Sequence, residues 1–452
     1  MAAARVVLIA GVALAALIQL WRVPRLWAFL ILFIVLFPKL PLALVPGDTT
    51  ALRVDDIVLG LVLGGWVLAQ LLGRRRAIPP SPVTPLILLY GLVAMVTSLL
   101  GIAAATATPM TAAFHFVRRV EYALIYYFFF RSIGADDLSD FVRVFRFAFL
   151  ATLGIWVIQH WTAAPLPGGG IDAAEYSPAF SASYDFGGYV MVATLLLYAL
   201  WSTRAERSLA TTAALVAGVY LLFNADSRAS FFGFAAAIVL DLFARLRWQV
   251  AFGLVSAGWL APYLVSSQKM ERMLNAIALL LGSFSVDTVQ QAMFSDPSIA
   301  MRLRNWNLAV EHWSARPLTG DGLGSYLRYS EQYNQAGSPD GWYVRLLAES
   351  GLLGLLAFMM LTGGLLWMLL QAYAKETRPL PRAIVYGAAL SVVAMLVNAL
   401  LIDSFVSYKI MGAFWMVVGV GTRTSAGRRR IPVAYDGGAQ PMRTETPGFN
   451  PA

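Results

Sequence analysis

Long apolar runs alternate with short polar punctuation along the chain from its first residues to about position 422. Runs of about 17 to 25 residues, enough to cross a hydrocarbon layer roughly 30 Å thick, recur along most of the length. A backbone in lipid must satisfy its own hydrogen bonds, so runs of this length predict helices; the short alternating segments of a β-barrel are missing from the pattern. Spans are expected near Val6 to Trp21, Leu26 to Val45, Val54 to Leu72, Pro85 to Ala105, Ala112 to Phe130, Val142 to Trp161, Gly188 to Trp201 and Leu209 to Phe223. Others are expected near Phe231 to Leu246, Trp248 to Val265, Trp342 to Ala374, Ile384 to Ile402 and Tyr408 to Gly421. The pattern therefore predicts an all-α, polytopic transmembrane bundle of about twelve or thirteen spans. It divides into N-terminal transmembrane helices (1–264), a long loop (265–341), C-terminal transmembrane helices (342–422) and a polar, Pro- and Gly-rich tail (423–452) expected to be disordered.

Composition sharpens this reading. Of 452 residues 59% are hydrophobic and only 13% charged, against about 25% charged in an average soluble chain. The formal charge of +9 comes mostly from short clusters beside helix ends, such as Arg74-Arg75-Arg76, Arg204 with Arg207, Arg245 with Arg247, and Arg428-Arg429-Arg430. Alternate connections carry these clusters, which marks them as cytoplasmic and argues against a nucleic-acid footprint. The intervening connections then face outward: Pro46 to Arg53, Thr106 to Thr111, Ala163 to Gly187, Asn224 to Ser230, the long loop from Val265 to Gly341, and Asp403 to Ser407. Arg22 and Arg25 leave the orientation of the first pair open. Within the long loop, Met270 to Leu281 and Met301 to Trp313 have apolar residues at helical spacing, predicting short helices on the outer membrane surface. The chain has no cysteine, and its three histidines, His115, His160 and His312, are scattered, so neither a metal site nor a cofactor is expected. The first apolar run lacks the cleavage site of a signal peptide.

Three stretches could carry chemistry, all on the face assigned outward. The turn Asn224-Ala225-Asp226-Ser227-Arg228-Ala229-Ser230 holds an arginine that at membrane depth needs a partner or a ligand; pairing with Asp226 or snorkelling to the surface is the plainer reading. Arg302, Arg304 and Trp306 follow, with Arg302 and Trp306 four apart on one helical face. Then comes Pro317-Leu318-Thr319-Gly320-Asp321-Gly322-Leu323-Gly324, whose glycines permit a tight turn or close approach to a ligand, or form an ordinary turn. Its spacing is not that of a phosphate-binding Walker loop. Third, Asp340-Gly341-Trp342-Tyr343 opens a helix that carries Arg345 and Glu349 at i, i+4, where Asp340 could serve as an N-cap and the pair as a buried ion pair.

In this order, the Ser227-Arg228 turn, Arg302 to Trp306, Pro317 to Gly324 and the Leu-Leu-Ala-Glu-x-Gly-Leu-x-Gly pattern of Leu346 to Gly354 resemble the O-antigen ligase and polymerase superfamily of WaaL-like ligases and Wzy-type glycan polymerases. Arg53-Val54-Asp55-Asp56 and Arg118-Arg119-Val120-Glu121-Tyr122 extend the likeness over most of the chain. Ligases of the family usually carry His-Asn where this chain has Asp340-Gly341, and the acidic residue is more like the polymerase branch.

The resemblance implies a multi-pass bacterial inner-membrane glycosyltransferase working on an undecaprenyl-diphosphate-linked glycan at the periplasmic face. The acceptor would be a glycan or a lipid, and other polysaccharide assembly proteins are possible partners beside the membrane lipids. Charge grows on the leaving diphosphate, which the permanently charged Arg228 and Arg302 would stabilise without a metal, with Asp340 taking the acceptor proton and inversion at the sugar. Arg304, Trp306, Gly320, Gly322, Gly324 and Tyr343 would line the diphosphate and glycan. Glu349 is expected to be structural. The alternatives are a ligase acting on lipid A core or protein, and a transporter of a small anion such as bicarbonate.

Overall fold

The computed structural model describes residues 26–37, 41–44, 51–71, 81–162, 183–225, 227–245, 297–326 and 341–426. Helices make up nearly all of them: α1 (Leu26–Leu36), α2 (Val54–Leu71), α3 (Thr84–Ala103), α4 (Pro109–Ser132), α5 (Leu138–Thr162) and α6 (Ser183–Ser202). Then follow α7 (Leu209–Asn224), α8 (Arg228–Ala244), α9 (Pro297–Ala315), α10 (Trp342–Lys375), α11 (Pro379–Asn398) and α12 (Tyr408–Ala426). A two-stranded antiparallel hairpin of β1 (Pro41–Leu44) and β2 (Ala51–Arg53) is the sole β structure among the described residues. The all-α prediction holds. The span expected from Leu26 to Val45 is shorter: α1 stops at Leu36, since Pro38 disfavours helix in the residue before it. The spans near Val6 to Trp21 and Trp248 to Val265, the helix near Met270 to Leu281, the residues Asp226 and Asp340, and the tail beyond Gly427 lie outside the described residues.

Among the described residues five helices are long and apolar enough to cross a membrane by length and composition, namely α3, α5, α6, α10 and α11. Their surroundings differ. α6 and α11 are buried along most of their length, with Val190, Leu195, Val385 and Ala394 inaccessible. α3 leaves Leu88, Leu92 and Leu99 exposed, a face suited to lipid chains. Small residues allow close approach in the centre, as expected where helices associate by packing rather than by a hydrophobic drive. A Cβ on Gly387 would lie 2.9 Å from Leu196 of α6, and one on Gly233 of α8 would lie 2.6 Å from the Ala394 carbonyl of α11.

Local chemistry sets the helix starts. Thr108 caps α4 by accepting from the Thr111 N–H at 3.2 Å, with Pro109 in the first turn. Ser208 does the same for α7 through Thr211, also at 3.2 Å. Contacts between distant segments sort the helix termini into two ends. At one end Asn398, Ser227, Asp185, Ser407, Tyr122 and Val406 meet; the charge pattern assigns this end outward. At the other, Arg146 meets Glu206, and Arg245 meets Asp241 and Ser202.

The helix α10 is not one straight rod. Gly351 has φ 61° and ψ −162°, outside the helical region, a conformation that glycine adopts without a Cβ penalty. A straight helix would separate positions 342 and 358 by about 24 Å. Instead the rings of Trp342 and Phe358 lie 6.0 Å apart, as do those of Tyr343 and Phe358. The segment 342–350 therefore doubles back against 352–375, forming a helical hairpin with Gly351 at its tip. Sequence periodicity predicts a single span carrying Arg345 and Glu349 into the membrane; the reversal instead puts both residues on a short arm before the crossing.

Candidate active site

The turn 399–407 between α11 and α12 is where the outward-assigned segments converge. The Trp342 N–H donates to the Ala399 carbonyl at 2.9 Å, and the Tyr343 hydroxyl donates to the Leu396 carbonyl at 2.8 Å. Gly341, with φ 130°, sits so close to Trp306 that a Cβ would be 2.9 Å from the indole Nε1. This fixes α9 against the start of the short arm. The first turn of α8 joins the same turn: Ser227 and Ser230 are bonded at 2.7 Å, and Asn398 Nδ2 donates to Ser230 at 3.1 Å. Ser404 in turn donates to Asn398.

Beneath this polar edge lies a buried charge network. Arg345 donates from Nε to Glu349 at 2.8 Å and from Nη1 to Asp403 at 2.9 Å, and the three side chains are 3%, 1% and 8% exposed. Arg119 of α4 is 3.9 Å from the other Glu349 oxygen. Its guanidinium lies 5.7 Å from the ring centres of both Tyr90 and Trp342, the distance at which a cation is drawn to an aromatic face. Two cations and two carboxylates balance, which is the condition for tolerating such burial. Nearby, Arg118 grips Asp56 at 3.1 Å and stacks over Phe114.

The glycine-rich loop docks on the hairpin tip. A helix end leaves carbonyls unsatisfied and a helix start leaves N–H groups unsatisfied; at Gly351 both occur together. The loop meets them: the Asp321 and Gly322 N–H groups donate to the Ala348 and Glu349 carbonyls, and the Leu352 and Leu353 N–H groups donate to the Pro317 and Leu318 carbonyls, all at 2.9 to 3.1 Å. Gly320, Gly322 and Gly324 have φ 63°, 94° and 74°. Added Cβ atoms would run into the 348–350 backbone at Gly320, Ala107 at Gly322, and Thr111 and His115 at Gly324. Thr106 donates to the Asp321 carbonyl at 2.8 Å, and the buried Asp321 carboxylate holds Arg316 and His312. Two stretches read separately in the sequence are thus the two halves of one joint.

The sequence-derived residues fall into three groups. Trp306 and Tyr343 are partly buried beside the 399–407 turn, and Arg228 opens α8 at the same edge, partly exposed. Arg304 is exposed on α9, and Arg302 lies on α9 four residues before Trp306. Gly320, Gly322 and Gly324 face protein on the sides just described. Asn398, Asp403 and Ser404, which tie these parts together, carry no motif; the one signal for them was that polar residues interrupt apolar sequence at an outward-assigned turn.

A multi-helix membrane protein with its unusual polar residues gathered at one end, around a doubled-back helix and a docked glycine loop, is the class these features define. Residues 213–359, about a third of the chain, match the family described as O-antigen ligase, and this supports membership of the O-antigen ligase and polymerase superfamily. The match spans Arg228, Arg302, the glycine loop and the hairpin tip. No curated protein matches the chain by sequence.

Proposed function

We propose that the protein transfers glycan from an undecaprenyl-diphosphate-linked donor at the periplasmic face of the bacterial inner membrane, and that it does so as a polymerase. What supports this reading is one convergence: within the family match, the α8 start bearing Arg228 is bonded through Ser230 to Asn398 at the head of the 399–407 turn, and the Trp306 segment of α9 packs on Gly341, whose neighbour Trp342 is bonded to the same turn. The acceptor hydroxyl oxygen attacks the anomeric carbon from the face opposite the diphosphate. The carbon–oxygen bond to the diphosphate breaks, the hydroxyl proton passes to Asp340, and undecaprenyl diphosphate departs with its electron pair. Arg228 and Arg302 hold the growing charge, since guanidinium groups bond phosphate oxygens in pairs and stay charged at any working pH. Arg304 and Trp306 contact the donor, with Tyr343 beside them, while the glycines shape the loop that closes the site.

The test is transfer by purified protein in detergent, with lipid-linked glycan and no ion gradient; absence of any product would sink the reading and favour anion transport. A second reading is kept because the matched family is described as a ligase. A deletion strain separates them. Loss of long chains with one repeat unit retained marks a polymerase, whereas accumulation of lipid-linked polymer with no capped lipopolysaccharide marks a ligase.

A further inference from the structure

Next to the start of α8 lies an apolar surface that the transfer chemistry above does not use. Arg228 opens α8 at the edge assigned outward, and Phe231 and Phe232 follow it by three and four residues, so they lie on its side of the helix one turn deeper. The Phe231 ring is 6.2 Å from that of Phe232 and 4.8 Å from that of Phe223, near the end of α7. One turn below Phe223 stands Tyr220, whose ring is 6.3 Å from that of Trp156 on α5. Phe223 and Tyr220 are 58% and 57% exposed. Aromatic rings thus run inward from the foot of Arg228 across three helices.

The aromatic belts found at the lipid–water boundary do not account for this surface. Belts favour Trp and Tyr, which carry a polar handle, whereas Phe223, Phe231 and Phe232 have none. Nor does lipid solvation ask for rings: α3 exposes Leu88, Leu92 and Leu99 instead. Because acyl tails are as apolar as leucine, a hydrocarbon chain gains by leaving them only where it packs better. Rigid rings offer broad contact area at little cost in conformational entropy.

Resting on the transfer reading, we infer that Phe223, Phe231, Phe232 and Tyr220 hold the first isoprene units of the donor's polyprenyl chain. A diphosphate held by Arg228 keeps its own chain at high effective concentration over this face, and the face runs inward from Arg228 in the direction the chain must take. The rings thereby distinguish a polyprenyl carrier from a water-soluble sugar diphosphate with the same headgroup.

The probe is a polyprenyl diphosphate with a diazirine in its first isoprene unit, mixed with the full-length protein in phosphatidylglycerol nanodiscs and irradiated. Label should appear in peptides of α7 and the start of α8, and unlabelled undecaprenyl diphosphate should suppress it. Label spread equally over α3, or persisting under that competitor, would mean bulk lipid only and overturn the proposal. In transfer assays Phe223→Leu with Phe231→Leu, which keeps the face apolar, should raise KM for the lipid-linked donor about tenfold with kcat little changed, while Leu92→Ala on α3 leaves both unchanged. An unchanged KM in the double variant likewise overturns the assignment. Should the unmodified protein transfer no glycan at all, the functional reading falls, and the labelling still decides whether the rings hold the chain.

Discussion

The two polar ends of the bundle handle charge in opposite ways. At the end assigned to the cytoplasm, arginines lean outward and find near neighbours: Arg143 pairs with Asp140 while 73% exposed, Arg378 pairs with Glu376 while 53% exposed, and Arg207 and Arg382 lie over Trp201 and Tyr373. At the other end the partners are far apart in sequence and enclosed, as in Arg345 with Asp403 or Arg118 with Asp56. A charge that needs only to stay on one side of a membrane can remain in water. Charges brought together from α2, α4, α10 and the 399–407 turn cost desolvation and fix relative positions, which is what a site requires.

Two clusters blur the contrast and so test it: Arg146 reaches Glu206, 60 positions away and with both side chains largely covered, and a second cluster surrounds Asp241. Asp241, buried at the end assigned to the cytoplasm, accepts from Tyr198 and Tyr386 and pairs with Arg245 at 2.6 Å. If burial alone marked function, these clusters would matter as much as the outward network.

The comparison can be broken most decisively at the proposed site. Arg228→Ala or Arg302→Ala should lower glycan transfer at least about a hundredfold, the scale of losing one transition-state charge partner, with protein abundance unchanged; full activity in both variants refutes their assigned role. Asp403→Ala should come next, costing about 3 to 5 kcal/mol by leaving buried Arg345 short of a partner, read as a drop in thermal midpoint in detergent. Gly320→Ala should destabilise by at least about 1 to 2 kcal/mol from its left-handed backbone alone, with a close backbone contact added. Gly363→Ala on the same hairpin, where a Cβ meets nothing within 4 Å, should be neutral or up to about 1 kcal/mol stabilising; equal effects at the two glycines would show that the loop does not dock at the tip.

At the opposite end, Tyr198→Phe should cost about 1 to 3 kcal/mol, because a buried acceptor loses a donor, and should leave transfer per folded molecule intact. A catalytic defect there would mean that the two ends are coupled. Smallest of all, Arg143→Ala should change stability by no more than about 0.5 kcal/mol, as for most surface pairs.

Much of the helical layout was legible because apolar runs and basic flanks are one-dimensional signals. α3 matches the span expected from Pro85 to Ala105 and α11 overlaps the one from Ile384 to Ile402, since lipid solvation acts on each segment by itself. The site was legible in part. Ser227-Arg228, the segment ending at Trp306 and the start of α10 stood out as polar residues in apolar surroundings, and the structure gathers their neighbours at one turn. The fold of α10 was hidden: Leu352 to Leu355 continue the apolar run, and nothing in periodicity distinguishes a glycine that breaks a helix from Gly363, which does not. The partnership of the glycine loop with the hairpin tip was hidden too, because it is made by backbone groups whose pairing no side-chain pattern encodes. Asp403 could be placed on an outward turn but not beside Arg345, 58 positions away.

The doubled-back arm changes how this stretch would report on membrane sidedness. A hydropathy plot reads Trp342 to Lys375 as one passage across the bilayer. Yet a reporter domain fused just ahead of Trp342 and another fused just past Gly351 should both be found in the same compartment, with only a fusion beyond Lys375 on the opposite side. Sidedness read from residue 351 onward would therefore report the compartment in which the arm begins, with Arg345 and Glu349 enclosed against the bundle ahead of the crossing.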